Sequence, residues 1–169
     1  SADLFLALDP VSVGAPASLA SWLLHKPLVV KIVGDYAWEQ GVQRFGVTDT
    51  LDDFITKPAR HPFVLLLRFV ERAVAKRAEH VIVPSAYLKR IVTAWGIPEK
   101  KISVIYNALD GMTHTKEEKE EISALLDIPS HAVLSAGRLV PWKGFAALIE
   151  IMPGILEEFP DAILFIAGE

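Results

Sequence analysis

The ten residues 136–145, AGRLVPWKGF, place two long cationic side chains in one short loop. Arg138 follows a glycine at the end of one apolar run, and Lys143 precedes the glycine that opens the next apolar segment. A guanidinium can bind two phosphate oxygens at once, whereas an ammonium supplies a mobile point charge. The loop therefore predicts a binding site for a phosphate or diphosphate group.

The glycines on either side of the two cations support this prediction. Gly137 allows the backbone to turn at the strand end without a Cβ. The helix that begins at about Gly144 offers unpaired N–H groups and the positive end of its dipole. The P-loop spacing GxxxxGK[ST] is absent, and no Ser or Thr follows Lys143 to hold Mg²⁺. Lys143 alone would be interpreted as a solvated surface lysine, but the combination favours an anion site.

Short β-branched runs alternate with helical patterns along the chain. Runs of this length, bounded by Gly, Pro, Ser or Asn, predict strands that are buried on both faces, as in a parallel sheet. The runs cover residues 27–34, 80–85, 102–107, 132–137 and 162–168. Their alternation with helices predicts a doubly wound α/β fold, in which ligands lie beyond the carboxyl ends of the strands.

One helical segment, residues 62–79, has a basic stripe opposite a broad apolar face. Arg68, Arg72 and Lys76 recur at the four-residue spacing of a helix surface. The favoured interpretation packs the apolar face on the sheet and leaves the arginines solvated. The alternative places the basic face on an anionic membrane, although Glu71 dilutes the stripe.

Three further helices are indicated by capping signals and apolar spacing. Ser85 is a suitable N-cap for a helix over residues 86–95. Thr115 and Glu118 have the spacing of a capping box before a charged helix. Apolar residues at helical spacing predict the third helix over residues 145–159.

The composition excludes several classes of protein. A net charge of −4 gives no general attraction to nucleic acid. The chain holds no cysteine, and its five histidines show no HxH or HExxH spacing, so we expect neither disulfides nor a metal site. A GxSxG elbow is absent, so the sequence gives little support to a hydrolase.

The most charged stretch, residues 108–130, interrupts the alternation of strands and helices and predicts a domain boundary. Most of one α/β half precedes it, and a single β-α-β unit follows from about His131. The chain starts with Ser1 and stops where a strand ends, so we expect an internal piece of a longer protein.

Three segments resemble family-4 glycosyltransferases of the GT-B fold, also called glycosyl transferases group 1. Residues 135–169 resemble the first β-α-β unit of the family's C-terminal domain, with Gly-Arg-Leu, Lys-Gly, Phe-Pro-Asp and a strand ending in Gly-Glu. Residues 80–110, HVIVPSAYLKRIVTAWGIPEKKISVIYNALD, are similar to the end of its N-terminal domain. Residues 29–39, VVKIVGDYAWE, resemble the strand and loop that face the acceptor.

The resemblance implies an α/β fold with Rossmann-like parallel sheets in a GT-B two-domain architecture, both domains being incomplete. Residues 1–107 would be the C-terminal part of the acceptor-side domain. Residues 108–130 would be the interdomain linker with a charged helix, and residues 131–169 the start of the donor-binding domain.

The implied activity is transfer of a hexosyl group from a nucleoside-diphosphate sugar, with retention and without a metal or cofactor. The acceptor would be a glycan or a lipid-linked saccharide, and the location the cytoplasm, with peripheral contact at the inner face of the membrane as an open alternative. The resemblance assigns the donor diphosphate to Gly137, Arg138 and Lys143. The chain by itself is expected to be inactive, because the family's N-terminal Gly-rich loop and C-terminal acidic pair are not in it.

The acceptor-side loop departs from the family pattern. Many members carry a histidine where this chain has Gly34 and Asp35. Asp35 is the candidate catalytic residue, in contact with the acceptor or the reacting sugar, and a backbone cap is the equal alternative. Trp38 and Glu39 would shape the acceptor pocket, or simply pack. Two other functions stay open at this stage: another GT-B enzyme, such as a sugar-nucleotide epimerase or a phosphorylase, and a non-catalytic anion-binding module.

Overall fold

The computed structural model of the protein describes residues 2–58, 60–108, 115–125, 128–129 and 131–169, without the side chains of residues 119 and 123. The chain divides into two compact units, Ser1–Ala108 and Leu109–Glu169. Each unit has its own parallel sheet. The predicted α/β class with parallel sheets is therefore confirmed.

The sheet of the first unit has four parallel strands in the order β1-β2-β3-β4. The strands are β1 (Phe5–Ala7), β2 (Leu28–Lys31), β3 (His80–Val83) and β4 (Ile102–Val104). The last three lie within predicted runs and end before them, because each run continues into the loop at the carboxyl edge of the sheet. β1 was not predicted, since a three-residue strand gives almost no periodic signal.

Five helices surround this sheet in the described part of the first unit. They are α1 (Gly14–Leu23), α2 (Tyr36–Arg44), α3 (Leu51–Thr56), α4 (Pro62–Arg77) and α5 (Ala86–Ala94). The predicted Ser85 cap is confirmed, since its Oγ accepts from the Leu88 N–H at 3.1 Å. Thr50 caps α3 in the same way, and Pro62 starts α4 at a position where its missing N–H is not needed.

The main core lies between the two central strands and helices α4 and α5. Val30, Ile32, Val81 and Val83 are fully buried along β2 and β3 and in the residue after β2. Val74 and Ala75 of α4 pack on one side, and Ile91, Val92 and Trp95, from α5 and its C-cap, complete the cluster. Strands buried in this way explain the near-continuous apolar runs in the sequence.

Arg68 contradicts the prediction that the arginines of α4 are solvated. Its side chain is only 7% exposed. Nη1 donates to the Lys57 carbonyl at 2.8 Å, Nη2 donates to the Phe54 carbonyl, and the guanidinium carbon lies 3.7 Å from the centroid of the Phe54 ring. The prediction is wrong because α3 and the residues after it cover this part of α4.

The second unit pairs β5 (Ala132–Ala136) with β6 (Ile163–Ala167) in parallel, from Ala132 opposite Ile163 to Ala136 opposite Ala167. Helices α6 (Lys116–Leu125) and α7 (Phe145–Glu158) complete it. The capping box of α6 is confirmed, with bonds of 2.7 and 3.2 Å between Thr115 and Glu118. Much of the predicted linker, residues 109–114, 126, 127 and 130, lies outside the described residues, so the linker assignment stays a prediction.

The strands of the second unit are not buried on both faces. No residue of β5 or β6 is fully buried, and Leu134 is 72% exposed. Phe145 and Met152, both on α7, are the buried residues of that helix. The prediction of two-sided burial fails here because a single helix follows β5 before the chain returns as β6.

Candidate functional site

The loop between β5 and α7 leaves the sheet through Gly137. Its N–H donates to the Ala167 carbonyl at 2.9 Å, and the next bond in the ladder joins the Leu139 N–H to the Glu169 carbonyl. Gly137 has a φ of 156°, a backbone conformation that residues with a Cβ rarely adopt. The loop thus starts at the carboxyl edge of the sheet, where α/β proteins bind ligands.

The loop ends in a tight turn that presents the start of α7. A 3₁₀ turn, Pro141–Lys143, leads to Gly144, which is left-handed with a φ of 73°. Gly144 is the N-cap of α7 and offers no side chain to the helix. The first N–H groups of α7 therefore have no hydrogen bond to a capping side chain, as an anion-binding helix terminus requires.

Both predicted cations lie at this end of the second unit. The side chains of Arg138 and Lys143 are exposed, and neither makes a hydrogen bond or ion pair within the described residues. The stem of Lys143 passes beside Gly137, since a Cβ built on Gly137 would lie 4.0 Å from Lys143 Cδ. The structure therefore brings Lys143 beside Gly137 at the start of α7, and Arg138 follows Gly137 in the same loop.

Gly168 belongs to the same loop region and was missed in the sequence as a site residue. A Cβ on Gly168 would overlap the carbonyl oxygen of Gly137 and lie 2.9 Å from its carbonyl carbon. Only glycine permits this backbone contact. The Gly-Glu dipeptide after β6 could have indicated this contact, because a glycine at a strand end often marks a close approach of two backbones.

Asp35 caps a helix at the carboxyl edge of the first sheet. It precedes α2, is 2% exposed, and accepts from the Trp38 N–H at 2.7 Å through Oδ1. Burial raises the pKa of its carboxyl, and the Trp38 N–H and then Arg68 oppose that rise. The capping alternative is thus what the structure shows for this carboxylate, and its contact with substrate stays a prediction.

A second buried carboxyl, Glu71 of α4, reaches the same helix terminus. It is fully buried, and its Oε2 accepts from the Ala37 N–H at 3.2 Å. Burial and the nearby charge of Asp35 raise the pKa of Glu71 well above its ordinary value. The sequence gave no sign of this role, because Glu71 lies 34 residues after its partner.

Trp38 and Glu39 have structural contacts of their own. Trp38 is half-buried, and its indole N–H donates to the Asp49 carbonyl at 2.9 Å. The Glu39 carboxylate lies over Gly34, where a Cβ would displace it. Packing therefore accounts for both side chains, and their acceptor role stays a prediction.

Over the described ranges, no group of three or more His, Asp or Glu residues is placed so that it could hold a metal ion.

The fold defines a class of protein. Its parallel α/β sheets match those of GT-B glycosyltransferases. Residues 3–111 match the family described as Glycosyltransferase Family 4. The chain belongs to this family.

Individual relatives agree with the assignment. The chain is 30% identical over 115 residues to YqgM of Bacillus subtilis (strain 168), an uncharacterized glycosyltransferase. The matched residues make up 68% of this chain and 29% of YqgM. The Anabaena protein HepE in complex with UDP-glucose is 21% identical with a TM-score of 0.70, over 97% of this chain and 39% of HepE. The structure of HepE in complex with UDP is 22% identical with a TM-score of 0.63, over 90% of this chain and 36% of HepE. The chain thus spans well under half the length of these relatives.

Proposed function

We propose that the protein acts as a glycosyltransferase that moves a hexosyl group from a nucleoside-diphosphate sugar to a saccharide or lipid-linked acceptor. Its family membership supports the reaction class. The observation that carries the proposal is the loop at the start of α7, where Arg138 and Lys143 flank an uncapped helix terminus. The solved HepE complexes hold UDP-glucose, UDP with glucose, and UDP, which favours a uridine nucleotide as the first donor to test.

The loop can stabilise the departing diphosphate. As the bond between the sugar and the diphosphate breaks, the leaving oxygen gains negative charge. Arg138, Lys143 and the N–H groups of α7 would interact with that charge, and they would then stabilise the transition state more than the bound donor. Fixed cations would supply the charge stabilisation that a divalent metal supplies in other enzymes. Metal independence and retention of the anomeric configuration are proposed on this argument and on family membership.

The β2–α2 loop would face the acceptor. Trp38 and Glu39 are partly exposed and are proposed to shape the acceptor pocket. Asp35 is proposed to contact the acceptor or the reacting sugar. With 2% of its surface exposed, it can do so only when the loop opens around a substrate.

Replacing Arg138 or Lys143 with alanine is expected to weaken UDP binding while the fold is retained. Each variant loses a charge-assisted contact worth about 1.5–3 kcal/mol, which raises Kd roughly 10- to 150-fold. Isothermal titration calorimetry with UDP measures this directly. Lys116→Ala is the matched control, because Lys116 is an exposed cation of the same unit that pairs with Glu120. Equal Kd values for the wild type and both loop variants would refute the diphosphate assignment.

We further propose that the first unit contacts an anionic membrane surface from the cytoplasmic side. Trp22 of α1 and Phe69 of α4 are 58% and 70% exposed. α1 carries no charged residue. The exposed charges of α4 are Lys76 and Arg77, because Arg68 and Glu71 are buried and Arg72 is half-buried. An apolar face with a basic border is typical of peripheral membrane contact. No helix among the described residues is long and apolar enough to cross a membrane.

Sedimentation with lipid vesicles tests this contact. The protein is expected to bind phosphatidylglycerol vesicles at low salt and to be released as salt screens the basic border. Trp22→Ser and Phe69→Ser should weaken binding, whereas Tyr106→Ser, which alters a 70% exposed aromatic after β4, should not. Binding that is equal for neutral vesicles and for all variants would argue against this surface.

A further inference from the structure

The N-terminus of α2 is bound by two acidic side chains from distant parts of the chain. The first N–H groups of a helix lack partners within it. Asp35, the helix's own N-cap, accepts from the Trp38 N–H, and Glu71 accepts from the Ala37 N–H. Two consecutive N–H groups of the first turn therefore have separate acceptors, each an oxygen of an acidic side chain.

Core stability does not explain why a glutamate occupies position 71. Its side chain is fully buried, and Oε1 has no hydrogen-bond partner among the described residues. A buried carboxyl with incomplete hydrogen bonding is destabilising, whereas an apolar side chain of similar size is tolerated. Val74 and Ala75, one turn later, are buried apolar residues of the same helix. The bond to Ala37 is the specific contact that an apolar residue would lose.

We propose that Glu71 is a positioning residue that fixes the β2–α2 loop together with the first turn of α2, residues 32–39. The loop is attached at one end by the Ile32 N–H, which donates to the Ile82 carbonyl at 2.8 Å. Glu71 attaches the other end through Ala37. The orientation of Trp38 and Glu39 toward the acceptor, which rests on the proposed function, is set between these two attachments.

The charges around Glu71 suit this role. Asp35 faces it from the loop, and Arg68 and Arg72 flank it on α4. Both arginines lower the pKa of Glu71, while burial and Asp35 raise it more strongly. Glu71 thus forms a group of four charged side chains with Asp35, Arg68 and Arg72. A change in the protonation of Glu71 changes the charge on the carboxyl group that accepts from the Ala37 N–H.

Amide hydrogen exchange and NMR shifts of Ala37 test the proposal on the 169-residue chain. Glutamine at position 71 keeps a carbonyl oxygen for Ala37, whereas leucine does not. Glu71→Leu is expected to speed Ala37 exchange about tenfold or more, while Glu71→Gln stays within about threefold of the wild type. The Val81 amide in the core serves as the internal reference, and Glu79→Leu changes an exposed glutamate after the same helix. The wild-type Ala37 shift should follow a carboxyl titration that Glu71→Gln removes.

The outcomes separate this proposal from the proposed function. Unchanged Ala37 exchange in Glu71→Leu, or equal acceleration at Ala37 and Val81, would overturn the positioning role. If the leucine variant does not fold, Glu71→Gln is compared with Asp35→Asn, because the Asp35 carboxyl caps the same helix. An Ala37 titration that Asp35→Asn keeps and Glu71→Gln removes supports the role, and one that Glu71→Gln keeps and Asp35→Asn removes overturns it. UDP binding reports on the second unit, so Kd values unchanged by Arg138→Ala and Lys143→Ala would count against the diphosphate site without altering the Ala37 result.

Discussion

Arg68→Ala is expected to lower the free energy of unfolding of the first unit by about 2–4 kcal/mol, because two carbonyls lose a buried cationic donor. The guanidinium bonds to Phe54 and Lys57 and stacks on the Phe54 ring. Burial, and then Arg72, lower the pKa of Arg68, so its desolvation offsets part of the loss. Urea denaturation followed at the indole NMR signals of Trp38 and Trp95 measures the change in this unit alone.

Lys76→Ala is the control for the Arg68 experiment. It removes one exposed positive charge from the same helix and should change stability by no more than about 0.5 kcal/mol. In Arg68→Ala, the amides of α3 should also lose more protection from exchange than those of β3. A stability loss as small as that of Lys76→Ala would mean that the two carbonyl contacts contribute nothing.

Glu71→Gln is expected to gain stability relative to the wild type as pH rises. Because the native pKa of Glu71 is raised by burial and Asp35, the native chain keeps a proton that the unfolded chain has lost. In the wild type, the contribution of Glu71 to the free energy of unfolding is fully present below the ordinary carboxyl pKa. It falls as the pH rises from there toward the raised pKa of the native chain. Glutamine has no such proton, so the difference grows by up to about 1.4 kcal/mol per pH unit within this window.

Thermal unfolding of both proteins at several values from pH 4 to 8 tests this dependence. For a unit of this size, each 1 kcal/mol corresponds to a difference in Tm of about 4–8 °C. Glu79→Gln provides the control at an exposed glutamate, and its difference from the wild type should stay flat. If the difference in Tm between Glu71→Gln and the wild type stays flat or falls as pH rises, the pKa of the Glu71 carboxyl is not raised in the native chain.

Features that depend on neighbours in sequence were predictable. The strand runs were visible because buried parallel strands require continuous apolar residues. The caps at Ser85 and Thr115 bond within three residues, so their spacing alone indicates them. The two cations of the candidate site lie in one loop, and its position after a strand and before a helix indicated an anion site.

Features that depend on distant contacts were not predictable. Arg68 matches the pattern of a solvated helix face, and only the packing of α3 on α4 buries it. Glu71 was interpreted as a surface charge for the same reason. Gly168 contacts Gly137, which lies 31 positions earlier, so a glycine at the strand end could indicate a close backbone approach but not which residue is approached.

The bond between Glu71 and Ala37 also sets an order of events during synthesis of the chain. Ala37 leaves the ribosome 34 residues before its acceptor, which corresponds to about 2–7 s of translation. Through that interval, Asp35 is the carboxylate available to the start of α2. The β2–α2 loop therefore gains its hydrogen bond to Glu71 only when α4 has been translated and packs on the sheet. While a ribosome pauses within α4 before Glu71, the Ala37 N–H lacks this acceptor.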